Sequence, residues 1–182
     1  MTGSLSASAG ASAWLKRHAG IAPHDGPALD LACGGGRQGR WLLAEGRQVL
    51  FCDRDLSGTA NLAGRSGAWR VQADLEGGGE RGGWPFRDGS FALVVVANYL
   101  WRPILADIFA ALAPGGVLVY ETFMAGNERL GRPRNPDFLL RPGELRDICP
   151  PDLEILGFME GEVTEPRPAM RQALAARRYS AA

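Results

Sequence analysis

The stretch Leu29-Asp30-Leu31-Ala32-Cys33-Gly34-Gly35-Gly36-Arg37-Gln38-Gly39 carries a short apolar run into a helical pattern through a corner almost free of side chains. Glycines at positions 34, 35 and 36 remove every Cβ where the chain must turn sharply. The helix that follows offers unpaired N–H groups and the positive end of its dipole. Such a corner lets a nucleotide-like ligand touch backbone. The spacing Gly34-x-Gly36-x-x-Gly39, with Asp53 nineteen residues beyond Gly34, also fits a dinucleotide-binding turn. A tight turn that binds nothing would use the same residues, so the rest of the chain must discriminate.

Working outward, apolar runs recur at Ala28 to Ala32, Gln48 to Cys52, Trp69 to Ala73, Phe91 to Ala97 and Val117 to Phe123, with helical or loop material between them. This alternation predicts parallel strands joined by crossovers. Phe91 to Ala97 has no polar face and reads as a central strand, whereas Arg70 and Gln72 give the Trp69 run the alternation of a sheet edge. Helices are predicted over Ala13 to Ala19, with Trp14 and Leu15 packing inward, and over Gly36 to Glu45, ending at Gly46. Two more are predicted over Asp55 to Ala63 and after Pro103, where Ile104, Leu105, Ile108, Phe109 and Leu112 form one stripe. Met1 to Ser12 reads as a frayed start, and Asp74 to Phe91 as an irregular, flexible crossover rich in glycine. Near the end, Leu153 to Met159 and Ala173 to Tyr179 look strand-like, and Pro166 and Pro168 interrupt the link between them. A parallel pair would need a helical crossover there, so an antiparallel hairpin is expected.

Composition narrows the classes. The chain has 182 residues, 46% of them hydrophobic, which suits one well-buried core. Twenty basic and twenty acidic residues cancel, and no long basic stripe is present, so neither nucleic acid nor an anionic membrane surface is the expected partner. No apolar run is long enough for a bilayer and Met1 to Gly10 lacks a leader pattern, which predicts a soluble, cytoplasmic protein. Cys33, Cys52 and Cys149 form no C-x-x-C pair and are expected to be reduced. Cys33 lies near a helix N-terminus, where a thiolate can be favoured, but a small apolar filler is the commoner fate of such a residue. His18 and His24 precede the first strand, which leaves a metal site short of ligands.

At this point the chain resembles the class I S-adenosylmethionine-dependent methyltransferases, from about Ala28 to Tyr179. Asp30-Leu-Ala-Cys-Gly34-Gly-Gly36 resembles their first motif, with Ala32 where glycine is common. Asp53 matches the acid that takes the ribose hydroxyls, Asp74-Leu75 the pair that brackets adenine, and Asn98-Tyr99 the motif beside the methionine moiety. Leu112-Ala-Pro-Gly-Gly116 resembles the turn into the fifth strand, and Asp30 to Arg40 is similar to small bacterial enzymes of the tellurite-resistance type. The resemblance implies an α/β, Rossmann-like three-layer sandwich whose seven-stranded sheet is mostly parallel with one antiparallel strand near the C-terminus. It implies a methyltransferase domain over residues 27–182, preceded by an extension over residues 1–26 with a short helix. It also implies S-adenosylmethionine as cofactor, with S-adenosylhomocysteine as product, bound by Asp30, Ala32, Cys33, Gly34, Gly36, Asp53, Arg54, Asp74, Leu75 and Asn98. Local alternatives exist: Asp53 as an acid at a helix start, Asp74 as a turn residue, and Asp30 as an acceptor for loop amides and, through water, for the ligand's ammonium group.

Methyl transfer asks little acid–base chemistry of a protein, because rate comes from alignment and exclusion of water. Tyr99 and Trp101, just past the fourth strand, are candidate substrate contacts, and Tyr99 or Glu121 is the candidate base if the acceptor must lose a proton. The segment Met124 to Phe138 follows the fifth strand, where open α/β sheets bind ligands. Arg129, Arg132, Arg134 and Arg141 lie in or next to it. It is expected to act as a lid whose Arg132 and Arg134 meet an anionic small-molecule acceptor. The competing expectation pairs these arginines with Glu128, Asp137 and Glu144 on a solvated loop. Two other functions fit less well: a regulatory module that binds S-adenosylmethionine without turnover, and a nicotinamide-dependent oxidoreductase, which the size and the hairpin disfavour.

Overall fold

In the computed structural model, which describes residues 10–77 and 83–180, the apolar runs become the strands of a single sheet. They are β1 (Ala28–Leu31), β2 (Val49–Asp53), β3 (Ala68–Gln72), β4 (Phe91–Ala97), β5 (Leu112–Phe123), β6 (Leu153–Val163) and β7 (Ala169–Arg178). Their order is β3-β2-β1-β4-β5-β7-β6. Strands β1 to β5 pair in parallel, and β7 runs antiparallel to both β5 and β6. The one reversed strand is thus the one expected, although the hairpin is longer than its apolar pattern suggests and leaves only residues 164–168 for its turn. Burial follows position: every residue of β1 is buried, whereas β3 at the edge leaves Trp69 49% exposed.

Helices cover both faces. On one, Leu15 of α1 (Ala13–His18), Ala19 and Ala22 pack with Leu42 of α2 (Arg37–Ala44) against Val49, Phe51, Val117 and Val119. On the other, Ile108 and Phe109 of α3 (Leu105–Ala110), together with Leu140 and Leu145, cover Leu29, Val94, Leu118 and Tyr120. Gly39 permits the close seat of α2: a Cβ there would overlap the Phe51 ring and come within 2.8 Å of Asp30 Oδ2.

One predicted helix is corrected. Residues 55–63 form not an α-helix but a 3-10 helix over Ser57–Leu62. Gly58 lets this turn lie directly against the glycine corner, since its position leaves 2.8 Å between an added Cβ and the Gly34 carbonyl oxygen. The segment expected to fray falls mostly on residues 1–9, and part of the glycine-rich crossover on residues 78–82, both outside the described residues. The described parts of that crossover form neither helix nor strand.

Arg47, only 4% exposed, binds the N-terminal segment to the sheet. Its guanidinium donates to the carbonyls of Pro23 at 2.7 Å, and of Ala19 and Ala22 at 2.8 Å. Removing it strands these acceptors in an apolar surrounding, so Arg47→Met should lower the unfolding free energy by about 2–4 kcal/mol in urea titration. Arg47→Lys should recover only part of the loss, because a single ammonium lacks the planar fork of donors.

Candidate functional site

The C-terminal ends of β1, β2 and β4 surround a cleft of about 220 Å³ lined by Ala32, Asp53, Arg54, Ala73, Asp74, Leu75, Glu76, Asn98 and Tyr99. A second cleft of about 240 Å³ shares Glu76, Asn98 and Tyr99 and adds Leu100, Thr122, Phe123, Pro133 and Phe138. Two chambers therefore meet at one wall. The first holds the carboxylates of Asp53, Asp74 and Glu76 against one arginine, whereas the second is mostly apolar.

The first chamber is built by backbone-to-carboxylate bonds. Asp53 Oδ2 accepts from Gly34 N at 2.8 Å and Oδ1 from Asp55 N at 3.0 Å, so the acid at the end of β2 clamps the glycine corner while each oxygen keeps a lone pair. Gly34 and Gly35 are exposed, and a Cβ at either would meet nothing within 4 Å. Asn98 stands at φ 59°, a left-handed conformation that asparagine tolerates, and its N–H is held by the Glu121 carbonyl at 2.9 Å. Asp30 departs from expectation: its Oδ2 accepts from Gly39 N in α2 at 2.8 Å, while the loop amide of Gly34 goes to Asp53. The acid in β1 therefore fixes the helix and the acid in β2 fixes the loop.

Of the residues expected around the cofactor, Ala32, Asp53, Arg54, Asp74, Leu75 and Asn98 line the first chamber. Cys33, Gly34 and Gly36 form the adjoining corner, and Asp30 is buried beneath it. Burial and the nearby Asp30 and Asp53 carboxylates push the Cys33 thiol well above its usual range, which opposes the reactive-thiolate reading, and burial pushes Cys52 up to about 12. Tyr99 lines both chambers. Its hydroxyl is buried without a hydrogen bond of ordinary geometry among the described residues, with the Glu76 and Asp74 carboxylates as acidic neighbours. Burial, reinforced by these acids, holds the phenol far above its ordinary pKa, so Tyr99 stays protonated and is no base at neutral pH.

Three expected substrate contacts do not reach the chambers. Trp101 is half-buried and packs against the core, and Arg132 and Arg134 are exposed to either side of Pro133, which does line the second chamber. Glu121 also lines neither chamber and acts instead as a counter-charge to Arg171.

Pinning replaces the expected lid. Glu144, at the start of α4 (Glu144–Asp147), receives Arg102 Nε at 2.7 Å and Nη2 at 3.0 Å, and the Arg141 backbone N–H at 2.7 Å. Burial alone would raise the Glu144 carboxyl, but Arg102, Arg141 and these bonds bring it below its ordinary value. Arg102 also donates to the carbonyls of Asp137 and Leu139. Asn127 donates to the Pro133 carbonyl at 3.2 Å, and Gln172 to the Arg141 carbonyl at 2.6 Å. Of the pairings expected for the loop arginines, Arg141 with Glu144 forms at 3.4 Å, whereas Glu128 caps the Gly126 N–H. Arg102, Asn127 and Gln172 escaped sequence reasoning because nothing local marks a side chain whose partners lie far along the chain.

No group of histidine, cysteine and acidic residues suited to a metal occurs among the described residues, and no helix there is long and apolar enough to cross a membrane.

Comparison with known proteins agrees with this geometry. Residues 28–116 match the model of a methyltransferase domain. The fold is similar to that of an S-adenosylmethionine-dependent methyltransferase from Mesorhizobium loti (22% identity, TM-score 0.68, covering 92% of this chain and 98% of that one). It is also similar to one from Methanosarcina mazei (18% identity, TM-score 0.66, 90% and 97%) and to TehB from Haemophilus influenzae (19%, 0.64, 84% and 57%). At these identities the structural likeness is one of fold. A search of the curated proteins finds no match.

Burial raises the Asp30 carboxyl from 3.8 to about 7, opposed by the Gly39 N–H and Arg37. Folding therefore takes up a proton between those values, and this group's contribution to stability falls as pH rises from about 4 to about 7, then levels off. Asp30→Asn keeps an oxygen for Gly39 without the charge. Urea midpoints from pH 5 to pH 8 should fall in the wild type relative to the variant, and parallel profiles would refute the assignment.

Proposed function

We propose that the chain, whose residues 28–116 match a methyltransferase domain, is a class I S-adenosylmethionine-dependent methyltransferase that passes a methyl group from the first chamber to a small-molecule acceptor in the second. The carrying observation is the wall of Glu76, Asn98 and Tyr99 common to both chambers, because transfer between two ligands requires adjoining sites. S-adenosylmethionine, when bound, supplies a methyl on a positive sulfonium with a neutral leaving group.

The donor set of the first chamber suits that ligand. Asp53 offers the spare lone pair of each oxygen to vicinal hydroxyls, and the Asp74 and Glu76 carboxylates favour a cation. Ala32, Ala73 and Leu75 give an apolar surface for a base, and the exposed Gly34 and Gly35 of the corner let a ligand approach backbone. Asp30 acts from beneath by fixing α2.

The chain's work on the reaction is alignment. Tyr99, kept protonated, orients rather than deprotonates, and Glu121 lines neither chamber. Leu100, Phe123, Pro133 and Phe138 hold an apolar body out of water. A volume of about 240 Å³ suits a small molecule. The flanking Arg132 and Arg134, which make no ion pair among the described residues, favour an anionic acceptor by steering it to the mouth. We place this chemistry in the cytoplasm, in keeping with reduced Cys33, Cys52 and Cys149.

Calorimetry should show S-adenosylhomocysteine binding and no response to NADH, and Asp53→Ala should weaken that binding by about 10- to 100-fold, the range of one or two hydrogen bonds to a charged group. Full affinity in the variant would remove Asp53 from the site. With an active acceptor, joint Arg132→Ala and Arg134→Ala substitution should raise KM and leave kcat unchanged, and an unaltered KM would refute steering.

A further inference from the structure

Arg171, in β7, is a cation that the proposed reaction has not yet used. Its Nη2 donates to Asn98 Oδ1 at 2.7 Å, and its guanidinium carbon lies 4.3 Å from the centre of the Phe123 ring. Both partners line the second chamber, and Asn98 also lines the first. Register explains the contact: Arg171 stands opposite Phe123 across the β5–β7 ladder, and opposite Gly161 in β6, which has no side chain to obstruct it.

The contact settles an orientation. Guanidinium has donors and no acceptor, so the Asn98 amide must turn its oxygen towards Arg171. Its NH₂ group is left to serve the junction of the chambers, and the left-handed backbone at Asn98 holds the side chain there. An asparagine so placed turns its donors towards a ligand oxygen, while its carbonyl is engaged by the Arg171 guanidinium. The charges around Arg171 are Arg37 and Arg167, which add positive potential, and Glu121, which offsets part of it. Glu76 is the carboxylate facing the second chamber.

Building on the methyl-transfer reading, we propose that Arg171 is a positioning and specificity-determining residue: by locking Asn98 as a donor, it selects an acceptor that presents an anionic oxygen on an apolar body. The oxygen meets Asn98 Nδ2 with the Arg171 charge behind it, and the body lies against Leu100, Phe123, Pro133 and Phe138.

Benzoate, benzamide and benzylamine, matched in shape and differing in charge and donor pattern, serve as probes in saturation-transfer NMR on protein saturated with S-adenosylhomocysteine. Benzoate should bind at least about tenfold more tightly than either of the others, and Arg171→Met should abolish the preference. Arg171→Lys should restore part of it, a rescue that a purely structural role would not track with ligand charge. Asn98→Asp, which keeps a partner for Arg171 but removes the donors, should also lose benzoate. Equal binding of the three probes, no benzoate binding, or an unchanged preference in Arg171→Met would overturn the proposal. Calorimetry with S-adenosylhomocysteine on the same samples separates the outcomes: its failure in the wild type sinks the methyl-transfer reading, whereas intact cofactor binding with no anion preference sinks only the role of Arg171.

Discussion

Two carboxylates on neighbouring strands hold the rest of the site in place. Asp53 takes the Gly34 N–H and Asp30 takes the Gly39 N–H, each at 2.8 Å, so the corner and the helix it feeds are tied at separate points to β2 and β1. Without side chains of its own, a triple-glycine turn has large conformational freedom, and its single shape must be imposed from outside. The tie at Gly39 works only because the residue lacks a Cβ, which lets α2 descend onto Phe51 and within reach of Asp30. Gly58 does the same from the opposite side, seating the 57–62 turn on the corner. The result is an exposed strip of backbone held rigidly beside three carboxylates.

The second chamber has a different logic. Its outer wall belongs to an irregular segment, and irregular segments acquire shape only when their polar groups are satisfied elsewhere. Here Arg102 crosses from the end of β4 to Glu144 and to the carbonyls of Asp137 and Leu139, while Asn127 and Gln172 satisfy further backbone groups. Pro133 and Phe138 are thereby presented to the chamber by a scaffold, not by a swinging loop. The Arg102–Glu144 pair is bidentate and Glu144 is buried, so its removal would leave an uncompensated charge as well as a freed segment.

Much of this was readable along the chain because it depends on short-range pattern. The run Phe91–Ala97 has no polar face, which requires cover on both sides, and it lies between β1 and β5. The prolines after Val163 forbid a helical crossover, and the last strands do form a hairpin. Asp53, Asp74 and Asn98 were singled out by their resemblance to methyltransferase motifs at or just past the ends of β2, β3 and β4, and all three line the first chamber. The helix expected over Asp55 to Ala63 is instead a 3-10 turn over Ser57–Leu62, and Gly58 faces the Gly34 carbonyl across a long sequence separation that no window of local sequence contains. The directions of the arginines in the 124–141 segment were not legible, because sequence reveals charge but not direction: Arg132 and Arg134 face water and Arg141 turns to Glu144.

Periodicity and breakers therefore sufficed for the strand runs and the final hairpin, and the spacing of glycines with Asp53 for the corner, since these follow from interactions within a few residues; the seven-stranded sheet and the other residues of the first chamber came from the resemblance to known motifs. Which partners Asp30, Arg102 and Arg171 take was settled only by packing. Arg171 meets Asn98 across 73 positions of chain, through the register of a hairpin that brings β7 alongside β5. Hydrogen bonds over such separations depend on relative placement to a fraction of an ångström, and that placement exists only once the layers have closed.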